Sequence, residues 1–125
     1  MSEQAPYHAH IYFSPEQRQP AEELRNRFES DPDVLFVGRM TGGKAGPHPI
    51  PQYEVQFLME SLEQVRKLVR GSGLLALVHP LTDNDLADHT SLGEWIGGEP
   101  LELDLTTFDP PGANQGIPRF GKTDF

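Results

Sequence analysis

Cysteine is absent from the 125 residues. That excludes disulfides, thiolate metal sites and a cysteine nucleophile, and it fits a reducing compartment. Long hydrophobic runs are absent too: no stretch approaches the roughly 20 apolar residues that cross a bilayer. The N-terminus is short and polar, without the apolar segment of a secretory signal, so a cytoplasmic protein with no membrane partner is expected. Positive charge is scarce. Ten Lys and Arg stand against nineteen Asp and Glu, for a net charge of −9, and the basic residues are scattered. Such a surface repels phosphate backbones, so nucleic acid is excluded as a partner. What the chain has in quantity is Pro and Gly, twelve of each. They concentrate in Gly42–Pro51 and Pro110–Gly121, which reads as a loop and a tail. The length suits one domain, residues 1–125, with a core of its own. Residues 106–125 form its Pro- and Gly-rich C-terminal tail.

Hydrophobic periodicity gives the elements. Tyr7–Phe13 is β-branched and aromatic and ends at Ser14-Pro15, as a strand does. Ser14 and Gln17 have capping-box spacing around Pro15. A helix follows, beginning at Pro20, with Ala21, Leu24 and Phe28 at helical spacing. Val34–Met40 and Gln52–Met59 are two further strands. Ser61–Arg70 is an amphipathic helix closed by Gly71 or Gly73. Leu74–His79 is a fourth strand. Leu81–His89 reads as a loop or short helix continued by Leu92–Ile96, and Leu101–Leu105 alternates as an edge strand does. The order β-α-β-β-α-β predicts an α+β, ferredoxin-like sandwich: an antiparallel sheet with two helices on one face. The polar face left over predicts cover by the tail or by a second subunit, in a dimeric α/β barrel.

Five histidines carry the chemistry. Side chains alternate along a strand, so Ala9, Ile11 and Phe13 share an apolar face, and His8, His10 and Tyr12 share the other. Alone, this pattern suits a metal site or an ordinary wet sheet face. Tyr53, Val55 and Phe57 alternate with Gln52, Glu54 and Gln56 in the same way. With strands one and three read as parallel and strand four antiparallel to strand one, His8, His10, His48 and His79 meet at one end of the sheet. His89 is close enough to fold back to that end. Strands about 4.8 Å apart let imidazoles on neighbouring strands reach one ion. Three nitrogens, or two with a carboxylate from Glu54, leave positions open for substrate and O₂. Prolines beside His48 and His79 stiffen the backbone that carries them.

These segments resemble the dopa 4,5-dioxygenase family. The resemblance lies in His8-Ala9-His10-Ile11-Tyr12-Phe13, in Gly46-Pro47-His48-Pro49 with Tyr53-Glu54-Val55-Gln56-Phe57, in Val78-His79-Pro80-Leu81-Thr82, and in Asp85-Leu86-Ala87-Asp88-His89-Thr90. It implies a small ferredoxin-like homodimer and an Fe(II)-dependent, extradiol-type dioxygenase that opens a catechol ring with O₂. It further implies His10, His48 and His79 as metal ligands, with His8 or His89 moving protons. Zn or another divalent metal can occupy such a site in a purified sample. Tyr12, Tyr53 and Trp95 are then candidates to line an aromatic pocket, and Arg39 to anchor a substrate carboxylate. Two other functions suit the same residues: a ferredoxin-like dimer that binds a small ligand or metal without turnover, and a cofactor-free monooxygenase.

Overall fold

Alternation along the first strand sets the architecture. The computed structural model describes residues 6–42, 48–81 and 85–107. In it β1 (Pro6–Tyr12) is the middle strand of five. The others are β2 (Val34–Val37), β3 (Gln52–Leu58), β4 (Leu75–Pro80) and β5 (Glu94–Ile96), in the order β2-β3-β1-β4-β5. Every neighbouring pair is antiparallel. Helices α1 (Arg18–Glu29) and α2 (Leu62–Ser72) pack on one face, and the short α3 (Asp85–His89) lies by the other. This is the expected α+β, ferredoxin-like arrangement, extended by α3 and β5.

The core lies between the sheet and the two long helices. Ala9 and Ile11 of β1, Tyr53, Val55 and Phe57 of β3, and Ala76 and Val78 of β4 meet Ala21, Leu24 and Phe28 of α1 and Val65 and Val69 of α2. At roughly 25 cal/mol per Å² of apolar surface, each of the large side chains contributes about 1.5–3 kcal/mol. The tyrosine hydroxyl in this layer is satisfied: Tyr53 donates to the Ala21 carbonyl at 3.0 Å. α1 starts at Arg18, two residues before Pro20, because the N–H that proline lacks would have no intrahelical acceptor in the first turn. Before it, the Ser14 N–H donates to Oε1 of Gln17 at 3.1 Å. α2 ends at Gly73, whose φ of 75° is the left-handed conformation that glycine adopts without cost.

Two sequence readings change. β3 runs antiparallel to β1, not parallel. The α1 crossover returns β2 parallel to β1, and the β2–β3 connection reverses direction, so β3 enters between them antiparallel to both. His48, just before β3, therefore stands near Tyr12, at the far end of β1 from His8. Second, the strand after β4 is Glu94–Ile96, whereas Leu101–Leu105 forms no strand. β5 pairs with β4 through Leu77↔Trp95 and Val78↔Glu94 and occupies that edge. Arg66 of α2 fastens it, donating from Nη2 and Nε to Glu94 Oε1 at 2.7 and 2.9 Å. The polar face, expected to be covered, is dry. His8, Tyr12, Gln56 and His79 are at most 1 % exposed within the single chain. The tail beyond residue 107 lies outside the described residues.

β2 carries an irregularity. Its pairing with β3 shifts by one residue between Val34 and Phe36, which leaves Leu35 as an extra residue, bulged and half exposed.

Candidate functional site

The second face of the sheet is polar and dry. β1 supplies His8, His10 and Tyr12, and β3 supplies Gln52, Glu54 and Gln56 directly opposite them: Tyr12↔Gln52, His10↔Glu54, His8↔Gln56. β4 adds His79 across from His8, and Leu77 across from His10. Two residues come from outside the sheet. His48 arrives from the segment before β3, and His89 from the end of α3, beside the fully buried Asp88.

All five histidines are buried and meet. His10 is at the centre. Its ring centroid lies 4.1 Å from that of His48, 5.0 Å from His79, 5.6 Å from His89 and 5.7 Å from His8. His79 and His89 are 4.0 Å apart. Two trios bring one nitrogen from each member within 4.8 Å of the others: His8, His10 and His79, and His10, His48 and His89. The trio implied by the resemblance, His10, His48 and His79, draws on both.

Contacts around the rings are specific. Nε2 of His10 and Nε2 of His79 face each other at 2.9 Å. His79 donates from Nδ1 to the Pro80 carbonyl at 2.8 Å. Nδ1 of His10 lies 3.1 Å from Oε1 of Gln52. The Tyr12 hydroxyl lies 2.6 Å from Nδ1 of His48, and its ring stacks on Trp95 with centroids 5.7 Å apart. Oε2 of Glu54 lies 3.4 Å from Nε2 of His8. The Glu54 side chain also packs on Gly38, where an added Cβ would stand 3.0 Å from the Glu54 Cγ.

Burial decides the protonation of these groups. Removal from water, reinforced by the neighbouring histidines, holds His10 and His79 well below the usual imidazole value. The same causes bring His48 down to about 3. Burial pushes the Tyr12 phenol up, so its hydroxyl keeps its proton. At neutral pH these imidazoles are uncharged, the form in which they bind metals. The spacing suits an ion as well. Two nitrogens each about 2.1 Å from one ion, at a right angle, stand ~3.0 Å apart, close to the His10–His79 separation. The donor set therefore fits a divalent metal.

The remaining sequence candidates lie elsewhere. Tyr53 is on the helix-covered face, sealed in the core by its bond to Ala21, so the structure does not bring it to the histidines. Arg39 is exposed just past the end of β2. Parity puts Gln52 on the same face as His10, but their contact has no local signal, because the amide meets a ring 42 positions away.

Comparisons with known proteins identify the family. The model of the dopa 4,5-dioxygenase family matches residues 7–107. DOPA 4,5-dioxygenase of Amanita muscaria is 37 % identical over 113 residues, covering 82 % of this chain and 50 % of that protein. The chain thus spans about half the length of that curated relative. A crystal structure of a presumed dioxygenase from Nostoc punctiforme PCC 73102 superposes with a TM-score of 0.76 at 33 % identity, over 84 % of this chain and 91 % of that one. With its β1 histidine pair, its β4 His-Pro and the α3 histidine all inside the matched span, the chain belongs to the dopa 4,5-dioxygenase family.

Proposed function

We propose that this protein is a metal-dependent dioxygenase that opens the ring of a small catechol with O₂, beside the diol. The observation that carries the reading is the burial of five histidines in one cluster centred on His10, three of the five held neutral. A non-catalytic fold has little reason to bury so many imidazoles at the cost of desolvating them.

In this reading His10 and His79 hold Fe(II) through their facing Nε2 atoms, with His8 as the third ligand. That departs from the expected set in one member. His48 is better used otherwise: with the Tyr12 hydroxyl donating to its Nδ1, its Nε2 carries a hydrogen and serves as a donor. When bound, the iron supplies Lewis acidity toward the diol and redox capacity toward O₂. The chain does the rest. Trp95 and Tyr12 form an aromatic wall that orients a planar ring beside the histidines. His48 and His89 lie beside His10, where His48 donates a hydrogen bond from Nε2 to a diol oxygen and His89 accepts and returns the diol protons. Leu77, fully buried below the cluster, helps exclude water. A homodimer belongs to the same proposal, with the exposed Leu86 of α3 and Leu92 just after it as apolar surface, and sedimentation would give its mass.

The test is to load metal-free protein with Fe(II) without air, add dopa or a simpler catechol, admit O₂, and follow oxygen uptake and the visible spectrum together. A coloured ring-opened product formed with O₂ uptake, and lost in His10→Ala, supports the proposal. Tight metal binding with no uptake across a catechol panel overturns it in favour of a binding protein. Full activity without metal would identify a cofactor-free oxygenase.

A further inference from the structure

His79 has no choice of tautomer. Its Nδ1 lies 2.8 Å from the Pro80 carbonyl, which only accepts, so Nδ1 carries the hydrogen and Nε2 the lone pair. That lone pair faces Nε2 of His10 at 2.9 Å. On its other side, His10 presents Nδ1 to Oε1 of Gln52 at 3.1 Å, and an amide oxygen also only accepts. In the neutral form that binds a metal, His10 has a single N–H for two acceptors. With the hydrogen on Nε2, His79 is satisfied and Nδ1 opposes Oε1, lone pair to lone pair. With it on Nδ1, Gln52 is satisfied and two Nε2 lone pairs oppose each other. A cation shared by the Nε2 atoms relieves the second arrangement and does nothing for the first.

Gln52 is built to enforce that second arrangement. It opens β3 opposite Tyr12 and is 7 % exposed. Its backbone is clamped to Thr41 from both sides. Its N–H donates to the Thr41 hydroxyl at 3.1 Å, and its carbonyl accepts from the Thr41 N–H and hydroxyl at 2.9 and 3.1 Å. The side chain thus leaves from a fixed point. We propose that Gln52 is a positioning residue: its amide oxygen holds the His10 hydrogen on Nδ1 and keeps Nε2, paired with that of His79, as a lone-pair donor to a divalent cation. This inference rests on the metal reading above and assigns a task to a residue outside the ligand set.

The experiment uses the full chain and Zn²⁺ as probe. Long-range ¹H–¹⁵N correlation NMR on metal-free protein reads the His10 tautomer directly. Competition with a chromophoric chelator gives the Zn²⁺ affinity of wild type, Gln52→Leu and Gln52→Glu. The expected results are an Nδ1–H tautomer at His10, an affinity about 10- to 100-fold weaker in Gln52→Leu, and an affinity within a few-fold of wild type in Gln52→Glu, whose carboxylate also only accepts. A metal-free His10 with its hydrogen on Nε2 would overturn the inference, as would wild-type affinity in Gln52→Leu. Should Gln52→Leu fail to fold, the wild-type tautomer and the Gln52→Glu affinity decide in the same way. Wild type that takes up no Zn²⁺ would overturn the metal reading and this inference with it, whereas tight wild-type binding unaffected by Gln52 overturns this inference alone.

Discussion

The two faces of the central sheet are equally dry and differ in everything else. One, under α1 and α2, is lined by Ala9, Ile11, Tyr53, Val55 and Phe57 and returns free energy for every square ångström it buries. The other, lined by the alternate residues of the same strands, buries His8, His10, Gln56 and His79 and costs free energy to desolvate. The first face stabilises the fold, and the second is tolerated because the first is strong enough. Residues one position apart on β1 therefore have opposite mutational signatures.

Acid should break this comparison most sharply. An unfolded histidine takes a proton near pH 6.5, while folded His48 waits until about 3, and His10 and His79 are lowered in the same direction. Between those values the unfolded chain binds more protons, so stability present above pH 6.5 is lost as pH falls. Each such histidine contributes a slope of up to about 1.4 kcal/mol per pH unit, several kcal/mol in all by about pH 4.5. Urea titrations of metal-free protein at stepped pH would show it, and His48→Phe should flatten the slope by about one proton. A slope unchanged by that substitution would place the acid sensitivity elsewhere.

Next in size is His10→Ala. Oxygen uptake with a catechol should fall below about a thousandth of wild type, ~4 kcal/mol of transition-state stabilisation, while the metal-free variant stays folded by circular dichroism. On the opposite face, Phe57→Ala should cost about 3–5 kcal/mol in urea unfolding, and its surviving folded fraction should still bind metal. If Phe57→Ala lost metal affinity without losing stability, the division of labour between the faces would be wrong. The smallest effect is expected outside both. Arg66→Met removes the ion pairs to Glu94 and Glu63, but Glu94 is 38 % exposed and Glu63 more so, and screening by water keeps the change under about 1 kcal/mol.

Much of this was legible in the chain. Period-two alternation in residues 8–13 and 52–57 separates the two faces correctly, because a one-residue error in phase would have put histidine in the core and isoleucine outside. The same parity already set Tyr53 among the core residues, against its candidacy as a pocket residue, and the structure sides with parity. Strand direction was harder. Periodicity is blind to it, and only the connection from β2 into β3 shows that His48 enters beside Tyr12. β5 was obscured because three residues carry almost no pattern. Leu101–Leu105 has the better alternation, yet a strand also needs an edge to pair with, and Trp95 already sits across from Leu77. The Gln52 contact was unreadable for a different reason: the role proposed for it depends on which of its atoms faces which nitrogen.

The extra residue at Leu35 has a bearing on how this protein behaves in a crowded solution. Val34-Leu35-Phe36-Val37 would be an adhesive sequence at the rim of a flat sheet. Because Leu35 throws the ladder out of step, an arriving strand finds donors and acceptors that do not match its own spacing. The chain thus carries four consecutive apolar residues on an edge strand whose bulge makes it a poor template for strand addition.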